Sequence, residues 1–382
     1  MRVMRLTLEN WRNFTSVDVP LEQRVFIAGP NAAGKSNLLD AFRFLRDITI
    51  PGGGLQKALL DRGGVSKVRC LAARRHPAVA LDVRIGESSD DPESVWRYRL
   101  SIVQDNQRRP LIEEERVERG RRKLLVRPDD DDRDDRERLR QTHLEGVHTN
   151  KPFRLVHEFL HSIKYLHVLP PLVRQPERLA HRDLTGETFG SDFLEQIARS
   201  PTRVQQSRLR RIGDALRVAV PQLRDLRIEK DEVGFPHLEG RYEHWRPNAG
   251  WQREDQFSDG TLRLMALLWA VMDGAGPLLL EEPELNLHPA VVRFLPQMLY
   301  KATARSRRQV VVSTHSPDLL RDEGIASVET VLLFPHPNGT RASLAHDDQT
   351  IRSLLQDGQS MADAALPRTA PREAHQLAMF GD

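Results

Sequence analysis

The chain has 382 residues, of which 39% are hydrophobic and 29% charged, and its formal net charge at pH 7 is +3. This balance excludes a wholly disordered chain, and the length suffices for two or three globular domains. The single cysteine, Cys70, excludes an internal disulfide and a multi-cysteine zinc site. No apolar run approaches the roughly 20 residues of a membrane span. Charges also interrupt the apolar positions at the N-terminus, so we expect a cytoplasmic chain without membrane contact.

The first third of the chain is rich in predicted strands. Apolar and polar residues alternate in the segments 2–8 and 17–21, and residues 24–28 form a short apolar run. The same alternation recurs farther along, in the segments 79–85, 95–103 and 111–117. Because turn-forming clusters separate these segments, we predict an antiparallel sheet within residues 65–127.

The middle of the chain combines an acidic run with a helical region. Residues 129–135 are acidic around Arg133, and we predict a solvated loop there. Residues 151–220 show mainly helical periodicity, with a short strand predicted at 165–169. The helical region carries a dense set of arginines: Arg199, Arg203, Arg208, Arg210, Arg211 and Arg217. Two interpretations stay open for this basic stretch, a surface that pairs with nucleic-acid phosphates and a solvated helix face.

The last third alternates helices and strands. Two strands are predicted at 223–229 and 235–242, followed by a loop at 245–257. The alternation then comprises a helix from residue 260, a strand at 277–281, a helix at 290–300, and strands at 309–314 and 327–334. This order predicts an α/β region with a parallel sheet. From residue 357 the composition turns to small residues and proline, which predicts a weakly ordered tail.

A glycine-bounded loop joins the predicted strand at 24–28 to a helix, and it matches the phosphate-binding pattern G-x4-G-K-S in full. Backbone N–H groups and the helix N-terminus surround phosphates in such a loop. Lys35 is expected to neutralise the β- and γ-oxygens, and the Ser36 hydroxyl to bind Mg²⁺. The residues expected to contact the nucleotide here are Gly29, Pro30, Asn31, Ala32, Ala33, Gly34, Lys35, Ser36 and Asn37. The loop predicts that the chain binds a nucleoside triphosphate, ATP, together with Mg²⁺.

An apolar strand ends in the acidic pair Glu281 and Glu282. We predict that the first carboxylate lies near Mg²⁺ and the second near the γ-phosphate. Glu281 is then a metal ligand, in a position where aspartate is commoner. Glu282 orients and deprotonates the attacking water.

Two further motifs resemble those of ABC-type ATPases. Ser258, Asp259 and Gly260 open a helix between the phosphate loop and the acidic pair, as the signature turn of that family does. The resemblance implies that Ser258 and Gly260 bind the γ-phosphate of the nucleotide held by a partner subunit. His315 follows an apolar strand and resembles the switch histidine, a donor to the γ-phosphate. Residues 284–289 resemble the D-loop, which touches the partner subunit in that family.

The chain most resembles the RecF/SMC branch of these ATPases, and within it the stand-alone OLD-like proteins. The resemblance rests on the opening strand and turn at 6–14, the sequence GPNAAGKSN, the signature SDGTLR, the stretch EEPELNLHP and the stretch STHSP. It implies that Asn13 also lies at the nucleotide. The Q-loop glutamine of the family has two candidates, Gln104 and Gln175. We expect no long coiled coil, zinc hook or TOPRIM nuclease site.

We expect an α/β fold, an ABC-type P-loop ATPase head with an antiparallel β subdomain and an inserted helical subdomain. Residues 1–127 would form the N-terminal ATPase lobe with the phosphate loop and the antiparallel sheet. Residues 128–245 would supply the acidic loop and the helical insert. Residues 246–356 would form the C-terminal lobe with the signature, the acidic pair and His315, and residues 357–382 a flexible tail.

Three classes of function are compatible with these motifs. The first is an ATP-hydrolysing dimeric switch that senses a trigger and controls a separate effector protein, a role that the resemblance associates with bacterial antiphage defence. The alternative is a RecF-like DNA repair ATPase that clamps DNA when ATP is bound, supported by the basic stretch. A solute transporter's ATPase fits the signature poorly. For residues 358–382 a docking peptide and simple disorder both stay open.

Overall fold

The structure, a computed structural model, describes residues 1–73, 77–88, 91–174, 193–243 and 250–370. The strands, in chain order, are β1 (Arg2–Trp11), β2 (Phe14–Pro20), β3 (Arg24–Ala28), β4 (Val79–Gly86), β5 (Trp96–Gln104), β6 (Pro110–Arg119), β7 (Arg122–Arg127), β8 (Lys164–Leu166), β9 (Leu223–Lys230), β10 (Pro236–Tyr242), β11 (Trp251–Arg253), β12 (Leu278–Glu281), β13 (Val310–Thr314), β14 (Thr330–Phe334) and β15 (Arg341–Leu344). The helices are α1 (Lys35–Asp47), α2 (Gly54–Leu60), α3 (Val65–Val68), α4 (Asp130–Asp134), α5 (Arg154–His161), α6 (Pro170–Arg174), α7 (Phe193–Arg199), α8 (Thr202–Ala219), α9 (Asp259–Met272), α10 (Pro289–Val292), α11 (Leu295–Thr303), α12 (Pro317–Leu320), α13 (Gln349–Gln356) and α14 (Met361–Thr369).

A six-stranded sheet forms the centre of the part that carries the phosphate loop, in the order β15-β14-β3-β13-β12-β8. All neighbours are parallel except β15, which pairs antiparallel with β14. Every residue of β13 is buried, which explains its unbroken apolar run, because a parallel strand is covered on both faces. Since parallel strands end at the same edge, β3, β13, β12 and β8 deliver the residues that follow them to one place.

A second six-stranded sheet is antiparallel and runs β2-β1-β4-β5-β6-β7. Its strands place apolar side chains such as Leu6, Leu81 and Leu100 in a buried cluster shared with α1. Arginine and carboxylate pairs, such as Arg5 with Asp18, lie away from that cluster. The expected α/β head with an antiparallel sheet is confirmed.

A helical and small-sheet region follows the second sheet. The three-stranded sheet β11-β10-β9 packs against α8, and α8 contacts α9. Leu209, Leu216 and Leu226 contribute to a second buried cluster, which also contains residues of α9 and α14. Strand β8 lies within the range 128–245 that we expected to be an insert, yet it pairs with β12 in the central sheet.

The acidic run differs from the solvated loop that we expected. Residues Asp130–Asp134 form α4, which begins with a capping box between Asp129 and Asp132. Asp132 is fully buried and pairs with Arg127, the last residue of β7. The charge pattern did not reveal this partner, since the arginine belongs to the preceding strand.

The C-terminal segment also differs from the expectation of a weakly ordered tail. Residues Met361–Thr369 form α14, and Met361, Ala362 and Ala365 are buried. Small residues allow this helix to pack closely on the core, whereas we interpreted them as a sign of disorder. Residues 371–382 lie outside the described part, so the docking peptide stays a hypothesis there. In the described ranges, no helix combines the length and apolarity that crossing a bilayer requires.

Candidate functional site

The phosphate loop occupies the turn between β3 and α1, as the sequence predicts. Gly34 has φ of 97°, a backbone conformation that glycine adopts without strain. A Cβ added to it would lie 2.2 Å from Asn13 Nδ2, so a larger residue is excluded there. The loop therefore depends on a glycine both for its backbone angle and for the close approach of Asn13.

Asn13 lies in the turn between β1 and β2 and forms hydrogen bonds that support the phosphate loop. Its Nδ2 donates to the carbonyl of Ala33 at 2.9 Å and to Thr340 Oγ1 at 2.8 Å. Asn37 Nδ2 donates to Asn13 Oδ1 at 2.9 Å. Asn13 thus contacts the phosphate loop and α1, and its contact with a nucleotide stays a prediction. Thr340, which precedes β15, was missed because no local motif marks it.

Lys35 is held inside the loop. Its Nζ donates to the carbonyls of Gly29 at 3.0 Å and Pro30 at 3.2 Å, and the residue is 7% exposed. Burial lowers the pKa of the Lys35 ammonium, while the nearby carboxylates of Glu282, Glu284 and Glu281 act in the opposite direction. The ammonium is therefore surrounded by oxygen atoms that phosphate oxygens can replace.

Ser36 and Glu281 meet across the site, although they are far apart in sequence. The Ser36 hydroxyl donates to Glu281 Oε1, and the Tyr165 hydroxyl donates to Glu281 Oε2 at 2.5 Å. The Arg43 guanidinium stacks over the Tyr165 ring at 4.3 Å. The carboxylate that we predicted as a metal ligand is thus fixed through both of its oxygens. Tyr165, in the edge strand β8, was missed because a lone tyrosine in an apolar strand carries no signal.

These two oxygen donors fit Mg²⁺. Magnesium in nucleotide sites usually takes one or two protein ligands, and phosphates and water complete its shell. The hydroxyl of Ser36 and the carboxylate of Glu281 supply such a pair. Within the described residues, no group of three or more His, Cys, Asp and Glu is arranged to hold a metal ion. Ser36 and Glu281 are therefore a donor pair that fits a magnesium ion bound together with a nucleotide.

Glu282 and His315 lie side by side at the ends of β12 and β13. His315 Nδ1 and Glu282 Oε1 share a hydrogen bond of 2.9 Å. The Glu282 amide donates to the Ser313 carbonyl at 3.0 Å, and Glu282 has φ of 43°. A positive φ is strained for a residue with a Cβ, and such strain concentrates at functional positions. The structure thus brings the predicted base and the predicted switch histidine into contact.

The signature turn packs against the predicted D-loop of the same chain. Ser258 caps α9, its Oγ accepting from the Thr261 amide at 3.2 Å. A Cβ on Gly260 would lie 2.5 Å from the Asn286 carbonyl oxygen, so a glycine is required for this packing. Asn286 Nδ2 donates to Asp259 Oδ2 at 3.3 Å. The turn and the segment 282–288 are therefore positioned as one unit.

A cavity of 480 Å³ lies beside the phosphate loop. It is lined by Asn13 and Ala32, by Arg12, by the segment 70–72 and by the loop 335–340. Its volume is within the usual range for small-molecule sites. The space next to the loop is thus large enough for a nucleoside.

Of the two candidates for the Q-loop glutamine, only Gln104 lies within the described residues. Gln104 Oε1 accepts from the Ser66 hydroxyl and its amide contacts the Arg108 carbonyl, so its hydrogen bonds are within the antiparallel part. Gln175 lies outside the described residues. Position 104 therefore offers no support for a Q-loop role.

The six arginines of the basic stretch differ in their partners. Arg199 pairs with Glu195 at 2.5 Å and Arg217 with Asp214 at 2.9 Å, both on the surface. Arg208 pairs with Asp273 at 2.8 Å and lies 4.9 Å from the centre of the Trp269 ring. Arg203, Arg210 and Arg211 are exposed and form no ion pair within the described part of the chain. The expectation of one continuous phosphate-binding cluster therefore does not hold for Arg208, since Asp273 and Trp269 already engage it.

The chain is similar to one protein family and to parts of two known proteins. The family model described as "AAA domain, putative AbiEii toxin, Type IV TA system" matches residues 24–321. A "DNA replication and repair protein RecF" from Allorhizobium ampelinum is 34% identical over 105 residues, which are 26% of this chain and 27% of that protein. An "Endonuclease GajA" from Bacillus cereus is 37% identical over 67 residues, covering 18% of this chain and 12% of that protein. The chain thus matches only a minor part of either relative.

Solved structures extend the likeness to the fold. An SMC head bound to the C-winged helix domain of ScpA has a TM-score of 0.57 at 13% identity, covering 90% of this chain and 97% of that one. A Pyrococcus furiosus Smc head with an extended coiled coil has a TM-score of 0.54 at 12% identity, covering 93% and 99%. At such identities the likeness concerns the fold alone. With the family match over most of its length, the chain belongs to this AAA-domain family, and its local similarity to RecF and GajA and its SMC-head-like fold agree with the RecF/SMC/OLD-like branch of ABC-type ATPases.

Proposed function

We propose that this chain is an ATP-hydrolysing switch that closes as a head-to-tail homodimer and controls a separate effector protein. The observation that carries the proposal is the meeting of two pairs at one sheet edge, Ser36 with Glu281 and Glu282 with His315. One pair offers oxygen ligands for a metal. The other places a carboxylate beside a histidine, an arrangement suited to moving a proton from water.

The proposed division of labour follows from these positions. Backbone amides of the loop and Lys35 bind the phosphates, and Ser36 and Glu281 hold the metal. The chemistry that bound Mg²⁺ supplies is neutralisation of charge on the β- and γ-oxygens. Glu282 accepts the proton of the attacking water, and His315 donates to the γ-phosphate while it also orients Glu282.

Completion of the site requires a second copy. In this proposal Ser258 and Gly260 of one subunit contact the γ-phosphate bound to the other, as the resemblance to ABC-type ATPases implies. The role in defence and the separate effector are supported by the toxin-system description of the family and by the similarity to an endonuclease named GajA. The endonuclease shares only 18% of this chain.

The test is the variant Glu282→Gln, compared with the wild type. Removing the base while keeping the side chain's shape should lower ATP turnover about 100-fold or more, with ATP affinity changed less than about threefold. ATP should convert the variant into a stable dimer on size-exclusion chromatography with light scattering. Turnover equal to the wild type would overturn the assignment of Glu282. A variant that stays monomeric with ATP would overturn the dimeric switch.

A second candidate function, an ATP-dependent DNA clamp, is favoured by the exposed Arg203, Arg210 and Arg211 on α8 and by the similarity to RecF. Free arginines pair with phosphates regardless of sequence, and the resulting affinity falls steeply with salt.

This alternative is tested by changing those three arginines to Glu and measuring duplex DNA affinity with and without ATP. A matched control changes Arg121, Arg122 and Lys123, which are exposed in the antiparallel sheet, to Glu. The clamp predicts at least a tenfold loss for the α8 variant, about the worth of one or two phosphate contacts, and little change for the control. Absence of wild-type binding at low salt would exclude the clamp.

A further inference from the structure

Two buried groups of opposite charge lie near the catalytic carboxylate without a full set of hydrogen bonds. Arg263, in α9, is 4% exposed, and its Nε and Nη1 have no hydrogen-bond partner within the described residues. Glu284 is 6% exposed, and its Oε2 also has no partner there. Buried polar groups are nearly always paired in folded proteins, so an unpaired cation and an unpaired carboxylate oxygen in one region call for an explanation.

The two groups belong to the two segments that meet at the signature turn. Arg263 follows Gly260 by three residues, close to one helical turn, and Gly260 packs against Asn286. The charges that act on the Arg263 guanidinium come from Asp259, Glu284 and Glu282. The guanidinium is therefore near enough to the carboxylates of the turn and of the segment 282–284 for all three to act on its charge.

Glu284 connects this position to the switch strand. Its Oε1 accepts from the Thr314 hydroxyl, and the Thr314 Oγ1 accepts from the Ser316 amide at 3.0 Å. Thr314 directly precedes His315, whose ring contacts Glu282. Burial raises the pKa of the Glu284 carboxyl, and the hydrogen bond from Thr314 opposes this rise. An additional partner at Oε2 would stabilise the charged carboxylate.

We propose that Arg263 is a positioning residue that couples the signature turn to the chain's own catalytic site through Glu284. When a second subunit presses on the turn, a shift of α9 brings the guanidinium to Glu284 Oε2. That ion pair fixes the position of the segment 282–286 and holds Glu282 in the orientation that accepts a proton from water. The inference rests on the proposed function, because it assumes ATP hydrolysis in a closed dimer.

Arg263 acts through Glu284 and does not contact the partner. The residue is 4% exposed, and its Nε and Nη1 are buried. Its effect is therefore expected on the rate of turnover, with nucleotide affinity and dimer formation kept.

The experiment is a double-mutant cycle of Arg263→Met and Glu284→Gln, read in kcat and in the Kd for ATP. Each single variant should lower kcat about tenfold, and the double variant should lose no more than the worse single one, because both remove the same interaction. The Kd for ATP should change less than about twofold. Arg263→Lys should recover part of the kcat, since it keeps the charge.

Two further measurements separate positioning from packing. Arg308→Met is the matched control, because Arg308 is a buried arginine that donates to the carbonyl of Ala270 in the last turn of α9 and to that of Gly276 just beyond the helix. It should lower the unfolding midpoint and leave kcat per folded molecule within about twofold. In a Glu282→Gln background, adding Arg263→Met should leave the ATP-induced dimer intact.

Several results would overturn the inference. Wild-type kcat in Arg263→Met with only a lower unfolding midpoint would mean that the arginine merely packs. Additive losses in the cycle would mean that it does not act through Glu284. Loss of the dimer in the Glu282→Gln background would assign Arg263 to the interface. If Arg263→Met does not fold, Glu284→Gln decides alone, and unchanged kcat there ends the proposal.

Failure of the proposed function is visible separately. If the wild type does not hydrolyse ATP and the Glu282→Gln variant does not dimerise with ATP, the proposed switch is refuted. This inference is then refuted with it. A wild-type protein that does both, with silent Arg263 and Glu284 variants, refutes only the coupling.

Discussion

Two buried arginines of this molecule differ in how completely their guanidinium groups are hydrogen-bonded. Arg127, in the antiparallel part, has no exposed side-chain surface and uses all three of its guanidinium nitrogens. It donates to Glu115 and Asp132, and to the carbonyls of Arg138 and Gln141, at 2.7 to 2.9 Å. Arg263, beside the catalytic edge, is nearly as buried and leaves two nitrogens unpaired within the described residues.

The two surroundings differ in how completely their buried charges are paired. A fully paired buried cluster holds its segments in one arrangement, because every displaced partner would leave an uncompensated charge. Arg127 in this way ties α4 and the segment 138–141 to the antiparallel sheet. Around the predicted site, Glu282 and Asn286 have positive φ, and Arg263 and Glu284 have buried atoms without a hydrogen-bond partner among the described residues.

The largest predicted effect is obtained by changing each of the two arginines to Met. Arg127→Met should cost about 3–5 kcal/mol of unfolding free energy, because Glu115 and Asp132 would remain buried without their cation. Arg263→Met should cost less than about 1 kcal/mol, since an apolar side chain replaces an incompletely paired charge. Urea unfolding followed by circular dichroism measures both. Equal destabilisation would contradict the contrast between the two regions.

A smaller effect is expected from Gly260→Ala, which probes the packing between the signature turn and the D-loop segment. The new methyl would lie 2.5 Å from the Asn286 carbonyl oxygen. We expect a loss of about 2 kcal/mol in stability, typical of overpacking, and reduced ATP turnover. Gly213→Ala in α8 is the matched control.

The control differs in its surroundings. A Cβ at Gly213 would lie 3.9 Å from the nearest Leu226 atom, an ordinary contact. Alanine favours a helix interior, so this variant should be as stable as the wild type or up to about 1 kcal/mol more stable. Similar losses in both variants would show that the Asn286 contact does not determine the effect, since helix propensity alone predicts a gain in both.

The smallest predicted effect concerns pH and lies in the region of Arg127. Burial raises the pKa of Glu145 to about 7, although the carboxylate accepts from the Leu55 and Thr142 amides. The folded state therefore binds this proton more tightly than the unfolded chain, and stability falls as pH rises from about 5 to 7. Glu145→Gln removes that titration.

The comparison is made by urea unfolding of the wild type and Glu145→Gln between pH 5 and pH 8. Across that range the wild type should lose about 1 kcal/mol more stability than the variant, after allowance for partial solvent screening. A constant difference between the two proteins at all pH values would show that Glu145 does not titrate in this window.

Much of the site was predictable because its motifs are local. The loop around Lys35, the pair Glu281 and Glu282, and His315 each follow a strand, and strand ends are visible in the pattern of apolar residues. A parallel sheet then brings these ends to one edge. The same reasoning failed for Asp132 and for α14, because an acidic run and a run of small residues look alike whether they are solvated or buried.

Other features depend on contacts between distant parts of the chain. Tyr165 reaches Glu281 only because the edge strand β8 pairs with β12, and Thr340 reaches Asn13 across almost the whole sequence. No periodicity or spacing marks such residues. Arg208 shows the reverse case, since a residue that looked free in the sequence is engaged by Asp273 and Trp269.

The sequence by itself determined the phosphate loop, the acidic pair, the order of strands and helices and the resemblance to ABC-type ATPases, since these depend on neighbours along the chain. Only the tertiary structure decided which charges are paired, because pairing depends on distance in space and on burial. That decision distinguishes Arg127 from Arg263. No sequence pattern distinguishes these two arginines. Arg127 is surrounded by acceptors, whereas two nitrogens of Arg263 have no acceptor among the described residues.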